Sequence, residues 1–130
     1  MPELPDLEVL AEVLGRRVTG RRITAAEVLR PLVVRSLPDG DEPCVRLVGR
    51  EVRAVSRRGK FLLLELGEGP WLAVNPMLAG RLRHGPHPLR RLARDYIALT
   101  LSDGMDLVYH DTEGLGKVYV TERLDLVPGR

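Results

Sequence analysis

The sequence predicts a mainly β domain of the α+β class, an antiparallel β-sandwich of about seven to eight strands with an N-terminal helix and helical flanks. Three observations favour this fold. Apolar residues recur every three or four positions near the start of the chain, short β-branched segments follow them, and glycine, proline or aspartate separates these segments. Because 130 residues can bury one core but not two ordinary ones, we expect residues 1–130 to form a single domain.

The first element is an amphipathic helix, predicted from Asp6 to about Val18. Its acidic residues lie early and its arginines late, which suits the helix dipole. Pro5 fits the first turn, because the N–H group that proline lacks would have no partner there. Gly15 and Gly20 are candidate end points. The apolar positions with helical spacing are Leu7, Leu10, Val13, Leu14 and Val18.

Seven later segments are predicted as strands. In chain order they are RITAAEVL, EVRAVSRR, FLLLEL, WLAVN, DYIALTL, DLVYH and KVYV. The Asp103-Gly104 pair between two apolar runs is a strong hairpin signal. We predict SLPDGDEP as a surface loop and RHGPHPLRRLAR as a longer, basic loop, and we assign no packing partner to the final TERLDLVPGR.

Composition excludes several classes of protein. No apolar run approaches the roughly 20 residues of a membrane span, and no export signal is present, so we expect a cytoplasmic location. Cys44 is the one cysteine, which rules out an internal disulfide and a cysteine-based zinc cluster in this chain. His84, His87 and His110 lack metal-ligand spacing and are predicted to be surface or structural residues. We therefore predict no metal and no cofactor in this chain.

Charge is less informative than composition. The formal net charge is +2 and the sequence pI is about 9.0. This balance permits binding to nucleic acid without demonstrating it.

The opening MPELPDLEV raises a chemical possibility. If Met1 is removed, Pro2 begins the chain with a secondary amine, which can attack a carbon electrophile. Free α-amino groups have pKa values of about 7.7–8.0, so a neutral fraction exists at physiological pH. Glu3 supplies an adjacent carboxylate for proton transfer. The alternative is that this stretch only stiffens the terminus with solvated acids, and a retained Met1 would leave Pro2 with an amide nitrogen and no nucleophile.

Three motifs together resemble the formamidopyrimidine-DNA glycosylase/endonuclease VIII family. They are MPELPDLE at residue 1, RRGKFLLLEL from Arg57 to Leu66, and MLAGRLR from Met77 to Arg83, in the family's order and rough spacing. The resemblance spans essentially the whole chain and implies the family's N-terminal catalytic domain, a β-sandwich flanked by helices. It also implies excision of oxidised bases from damaged double-stranded DNA in base excision repair, followed by cleavage of the abasic site.

The resemblance further implies roles for individual residues. Pro2 would be the Schiff-base nucleophile, Glu3 the acid/base that assists opening of the deoxyribose ring, and Lys60 a phosphate contact at the lesion. Lys60 follows a glycine at a predicted strand start, where its flexible stem can bring a compact charge to a phosphate, although an ordinary surface lysine remains the alternative. Further DNA-binding residues are expected at Arg57, Arg58, Met77, Leu78, Arg81 and Lys117.

Two loops depart from the family's pattern. Family members fill the space of an extruded base with side chains from these loops. The first reads NPMLAGRL, with Met77 or Leu78 as the wedge and Asn75 where the family often has histidine. The second, HDTEGLGKV, has Glu113 in place of an arginine and Leu115 in place of a phenylalanine. Because a carboxylate is unfavourable in a phosphate-lined groove, Glu113 indicates either altered lesion specificity or an alignment shifted by a residue or two.

The resemblance also predicts what lies beyond this domain in the family, namely a helix-two-turn-helix domain and usually a zinc finger, both absent from residues 1–130. The chain is then either a fragment of a longer protein or a stand-alone domain with weak or altered activity. The leading hypothesis is a monomeric DNA glycosylase/AP lyase acting at the bacterial nucleoid, with no membrane and no small-molecule cofactor. The alternatives are a non-catalytic DNA-binding or interaction module on the same scaffold and an unrelated β-sandwich.

Overall fold

The computed structural model describes residues 4–37, 42–67, 69–77 and 79–128, apart from the side chains at positions 4–6 and 32. Pro2, Glu3 and Leu78 therefore lie outside the described residues or side chains. Within the described part, nine strands form two sheets. The strands are β1 (Ile23–Val28), β2 (Val34–Leu37), β3 (Val52–Arg58), β4 (Phe61–Leu66), β5 (Trp71–Asn75), β6 (Gly80–Pro86), β7 (Asp95–Leu101), β8 (Met105–Asp111) and β9 (Lys117–Thr121).

The two sheets form the predicted β-sandwich. One has the strand order β1-β7-β8-β6 and the other β2-β9-β5-β4-β3. As expected, most of the described strands pair antiparallel. The exception is β2, which pairs with β9 in parallel. A parallel pair needs a long connection between its strands, and here most of the chain separates them.

The N-terminal helix, α1, extends over Leu4–Val18 and so begins two residues before the predicted start. Its apolar stripe is buried: Leu7, Ala11, Leu14 and Val18 are at most 6% exposed. Gly15 lies inside the helix rather than at its end. Gly20, with φ of +86°, follows the helix in the left-handed conformation that glycine adopts readily.

A second, short helix, α2 (Pro43–Leu47), forms the other helical flank. The carboxylate of Glu42 caps it by accepting a hydrogen bond from the backbone N–H of Cys44 at 3.1 Å. Burial, followed by the charge of Glu42, raises the pKa of Cys44 to about 11. This thiol is therefore protonated and unreactive at neutral pH. The rest of the predicted SLPDGDEP loop falls mainly on residues 38–41, outside the described part.

Two strands were not predicted. β2 has four residues, which is too short for a clear period, and β6 occupies the first part of the segment predicted as a basic loop. Gly85 and Pro86 make the end of β6 resemble a turn in sequence. They are tolerated because β6 is an edge strand, paired only with β8.

The core has two parts because β4 is buried on both faces. Alternate residues Leu62, Leu64 and Leu66 belong to the main core, whereas Phe61 and Leu63 belong to a second cluster. Val127 joins this second cluster after a 3₁₀ turn at Leu124–Leu126. The final segment therefore packs against the five-stranded sheet, which corrects the expectation that it has no partner.

None of the described helices has the length and apolar character required to cross a bilayer.

Candidate active site and nucleic-acid interface

Strand register brings the connections that carry the predicted site residues to one end of the sandwich. Asn75, the last residue of β5, pairs with Lys117, the first residue of β9. Gly80 at the start of β6 pairs with Asp111 at the end of β8. Leu62, near the start of β4, pairs with Val74. We call this end of the molecule the loop end, and it comprises the connections 59–60, 76–79 and 112–116.

The start of α1 lies at the same end. Gly15 lies against Val55 of β3, with 3.7 Å between an ideal Cβ at Gly15 and the Cβ of Val55. About two turns earlier in the helix, Glu8 contacts Arg57 near the end of β3. The helix therefore runs opposite to β3, so that its N-terminal end lies toward the β3–β4 turn. Pro2 and Glu3 precede it in the sequence.

Arg57 ties α1 to the turn that carries Lys60. Its Nη2 donates to Glu8 Oε1 at 3.0 Å, and its Nη1 donates to the carbonyl oxygen of Gly59 at 3.0 Å. Arg58, the next residue, is exposed, as expected where successive side chains of a strand point to opposite faces. Arg57 thus has protein partners for both terminal nitrogens, and its contact with DNA stays a prediction.

Lys60 lies in the two-residue turn between β3 and β4 and is exposed. Gly59 has φ of +59°, a conformation that other residues adopt with strain and that makes this tight turn possible. Within the described part of the chain, the ammonium group has no hydrogen bond or ion pair. No described residue therefore competes with an anion for this ammonium group.

The Met77 turn, residues 76–79, is a strained connection. Met77 has φ of +51°, unusual for a non-glycine residue. The side-chain oxygen of Asn75 accepts a hydrogen bond from the backbone N–H of Met77 at 3.2 Å, and Pro76 O accepts one from Gly80 N–H at 2.8 Å. Such conformations persist when surrounding contacts hold them, and they often mark functional sites.

The second connection, residues 112–116, which we call the Glu113 loop, lies beside it. Glu113 is exposed and Leu115 is 46% exposed. Lys117 Nζ donates to the carbonyl oxygens of Leu115 and Gly116 at 3.3 Å each. Arg81 is also exposed at this end and donates to the carbonyl oxygen of Gly80 at 2.8 Å. Among the described residues, Arg81 and Lys117 thus provide positive charge around this connection, and Glu113 provides an exposed carboxylate.

Arg30 was not predicted to be a site residue, and Arg94 was predicted only as part of a basic loop. Both line an open cleft of about 580 Å³, together with Leu29, Pro31 and Tyr96. The cleft is at the loop end, because Val28 pairs with Ile97 and because Asp95, next to Arg94, pairs with His110 near the end of β8. Arg30 Nε donates to the carbonyl oxygen of Ala93 at 2.8 Å, which orients the guanidinium. In the sequence, the feature that could have indicated Arg30 is its position before Pro31, directly after the predicted strand RITAAEVL.

Two of the three histidines, His87 and His110, contact buried carboxylates. His87 Nδ1 lies 3.0 Å from Asp106 Oδ1, and His110 Nδ1 lies 2.9 Å from Asp95 Oδ1. Both carboxylates are buried and also accept backbone N–H groups of the connection 87–94. Burial, followed by the charge of Arg17, lowers the pKa of His84. The contacts of His87 and His110 agree with the structural roles predicted for these two residues, whereas the ring nitrogens of His84 are buried without a hydrogen-bond partner among the described residues.

Comparison with known proteins identifies the family. The model of the formamidopyrimidine-DNA glycosylase N-terminal domain matches residues 1–118. The chain belongs to this family. The predicted resemblance and the predicted fold class are therefore confirmed.

The formamidopyrimidine-DNA glycosylase of Pelotomaculum thermopropionicum is 36% identical over 133 residues, covering 99% of this chain and 47% of that protein. The enzyme of the same name from Pelobacter propionicus is 36% identical over 129 residues, covering 98% of this chain and 47% of that protein. The chain thus spans about half the length of these relatives.

Solved structures of the family share the fold. A complex of Lactococcus lactis Fpg with DNA containing Fapy-dG has a TM-score of 0.82 and 26% identity, covering 91% of this chain and 43% of that one. A complex of the LlFpg protein with THF-DNA and an inhibitor has a TM-score of 0.83 and 27% identity, covering 92% of this chain and 43% of that one. The sandwich described above is therefore the family's N-terminal domain fold.

Proposed function

We propose that this chain carries the catalytic part of a DNA glycosylase/AP lyase that excises oxidised bases from double-stranded DNA in base excision repair. One observation supports this most. The start of α1, the Lys60 turn, the Met77 turn and the Glu113 loop, which are separate in sequence, meet at one end of the sandwich. Nucleophile, phosphate contact and base-replacing side chains must act on one nucleotide, so they need this proximity.

The proposed reaction begins with the terminal amine of Pro2, after removal of Met1. Its lone pair attacks C1′ of an extruded nucleotide, the bond from C1′ to the base breaks, and the base leaves with a proton. Glu3 transfers protons as the sugar ring opens, which yields an iminium between Pro2 and C1′. Loss of a proton from C2′ then breaks the bond between C3′ and its phosphate oxygen. The path requires no cofactor.

Positive charge at the loop end supports binding to a polyanion. Lys60 would contact a phosphate at the lesion, and the other cations would lie along the backbone on either side. The exposed carboxylate of Glu113 opposes this attraction, so it favours a lesion or an opposite base different from the family's usual one. The cations are Arg30, Arg58, Lys60, Arg81, Arg94 and Lys117.

Borohydride trapping tests the proposal. Borohydride reduces an iminium to a stable amine, so duplex DNA with an abasic site should become covalently linked to the Met1-trimmed protein. Pro2→Gly should weaken or abolish trapping because a primary amine replaces the secondary one, and protein that retains Met1 should not be trapped at all. Glu12→Gln, on the exposed part of α1, is a control that should be trapped like the wild type.

Two results would count against the enzyme. Duplex binding without any trapped adduct would identify the non-catalytic module on the same scaffold. Neither binding nor trapping would reject both functions. We further propose that the protein acts as a monomer at the bacterial nucleoid in the cytoplasm, and sedimentation of the protein with and without the duplex tests the stoichiometry.

A further inference from the structure

A buried pair on β8 shapes the Glu113 loop. Tyr109 and Asp111 are 2% and 0% exposed, and the Tyr109 hydroxyl donates to Asp111 Oδ2 at 2.9 Å. The carboxylate also accepts three backbone N–H groups of the loop, from Glu113 at 3.1 Å, Gly114 at 2.9 Å and Gly116 at 2.8 Å. One buried side chain therefore fixes the conformation of the whole connection.

The same hydroxyl lies against Gly80, the residue that directly follows the Met77 turn. An ideal Cβ placed on Gly80 would lie 2.5 Å from the Tyr109 oxygen and 2.5 Å from the carbonyl oxygen of Pro76. A Cβ placed on Gly116 would collide with the same hydroxyl and lie 2.7 Å from the carbonyl oxygen of Asn75. The Tyr109 oxygen thus lies between the two connections, and both approach it through glycine because no side chain fits.

The chemistry of the pair makes it a stable link. Burial, followed by the hydrogen bond to Asp111, raises the pKa of Tyr109, so its hydroxyl stays a donor. Burial alone would raise the pKa of Asp111, but its hydrogen bonds from Gly116, Tyr109, Glu113 and Gly114 outweigh burial and hold it below the usual value. The donor and the acceptor therefore keep their roles near neutral pH.

We propose that Tyr109 and Asp111 are positioning residues that couple the Met77 turn to the Glu113 loop, so that the two connections enter a DNA duplex as one unit. This inference rests on the proposed function. We expect loss of this coupling to affect some substrates more than others. Filling the space of an extruded base matters when an intact base must leave the stack. It matters less for a preformed abasic site, which has no base to extrude.

Tyr109→Phe tests the coupling, since it removes the shared oxygen and keeps the ring. Tyr119→Phe is the matched control, because Tyr119 is another buried tyrosine, 8% exposed, on β9 of the other sheet. Amide hydrogen exchange should become faster in residues 76–80 and 112–116 together in Tyr109→Phe, and in neither segment in the control. Faster exchange confined to one of the two segments, or in neither, would overturn the coupling.

Single-turnover kinetics test its role. On duplex DNA containing Fapy-dG, Tyr109→Phe should lower the rate of base excision by about tenfold or more, since a hydrogen bond to a buried charge is lost. Trapping on the same duplex with a preformed abasic site should change by less than about twofold. Asp111→Asn should likewise lower the rate of base excision more than it lowers the rate of trapping on the abasic site. Equal losses on both substrates would reduce the pair to a role in stability and overturn the proposal.

The two proposals fail in different ways. If the wild-type chain excises neither Fapy-dG nor any other oxidised base placed in the duplex, the role of the pair in excision falls together with the proposed function, whereas hydrogen exchange still decides whether the connections are coupled. If the wild type excises the base and Tyr109→Phe does so equally well, only the positioning role fails.

Discussion

Arg57 of β3 holds Glu8 of α1, with 3.0 Å between Nη2 and Oε1, and at the same time donates to the carbonyl oxygen of Gly59. One guanidinium therefore joins the first turns of the helix to the turn that carries Lys60. Because Pro2 and Glu3 directly precede this helix in the sequence, we expect this contact to influence how the proposed nucleophile is held relative to the proposed phosphate contact.

Glu8→Gln should weaken this link with little cost in stability. Glu8 has a side chain that is 66% exposed, so the free energy of unfolding should change by less than about 1 kcal/mol. The trapping rate on abasic-site DNA should nevertheless fall several-fold, because the helix start is less well positioned. Glu12→Gln removes an exposed pair with Arg16 one turn later and should leave the rate unchanged. Equal rates in both variants would show that the link has no role in positioning.

Lys60→Gln should weaken DNA binding in a salt-dependent way. A single phosphate contact contributes about 0.9 to the slope of log K against log salt concentration, so the slope should fall by about that amount. Lys60→Arg, which keeps the charge, should retain the slope. Thermal unfolding should not change in either variant, because Lys60 is exposed. A slope that stays at the wild-type value in Lys60→Gln would remove this residue from the interface.

The arginine-lined cleft predicts a second electrostatic contribution. The double variant Arg30→Gln/Arg94→Gln should lower the slope by about 2, if both guanidiniums meet phosphates. Arg53→Gln is the control, since Arg53 is exposed near the start of β3, where Val52 pairs with Leu66 away from the loop end. Fluorescence anisotropy with a labelled duplex at several salt concentrations measures the slope for the double variant, for the single variants Arg30→Gln and Arg94→Gln, and for the control. An equal change in the control and in each single variant would indicate only the loss of net charge.

Asp106 predicts how stability depends on pH. Burial raises its pKa, but hydrogen bonds from the backbone N–H of Leu89, from Thr100 and from His87 outweigh burial and hold the pKa below its usual 3.8. Its stabilising contribution is therefore present above pH 3.8 and is lost as the pH falls through the lower pKa of the folded state.

Asp106→Asn should accordingly lower the free energy of unfolding at pH 7 by about 1–3 kcal/mol and flatten its decrease in acid. Urea denaturation at a series of pH values measures both effects. Glu65→Gln, at an exposed position of β4, should keep the wild-type acid profile. If Asp106→Asn also kept the wild-type acid profile, the loss of stability in acid could not be assigned to Asp106.

Two glycines predict opposite effects of the same substitution. Gly15→Ala should stabilise the protein by about 0.5–1 kcal/mol, because Gly15 lies within α1 and the new methyl would meet Val55 at 3.7 Å. Gly80→Ala should destabilise it by about 1–3 kcal/mol, because the methyl would lie 2.5 Å from two oxygens. Thermal and urea unfolding of both variants provide the comparison. Two changes of the same sign would contradict the packing at one of these positions.

Local sequence predicted the elements whose pattern is strong. The run from Phe61 to Leu66, the Asp103-Gly104 turn and the helical stripe of α1 each appear where expected. β6 was hidden because Arg83, Gly85 and Pro86 have the composition of a loop, and pairing with β8 makes this stretch a strand. The parallel pairing of β2 with β9 depends on contacts far apart in sequence, which no local pattern specifies.

The site, too, could be predicted from the sequence only in part. Family motifs predicted Lys60 and Met77, and both lie at the loop end. The motifs could not indicate that Arg57 contacts Glu8, since that contact depends on how α1 packs on β3. Asp111 has an ordinary strand-end sequence, and its importance appears only when Tyr109 and the neighbouring glycines surround it.

The second cluster determines where the gene can be shortened for recombinant production. The family match ends at residue 118, whereas β9 continues to Thr121 and Val127 covers Phe61 and Leu63. A protein cut at the family boundary would lose most of β9 and uncover an apolar face beside an unpaired strand edge. We expect such a protein to aggregate when it is overexpressed. A stop codon placed after residue 128 retains the cover.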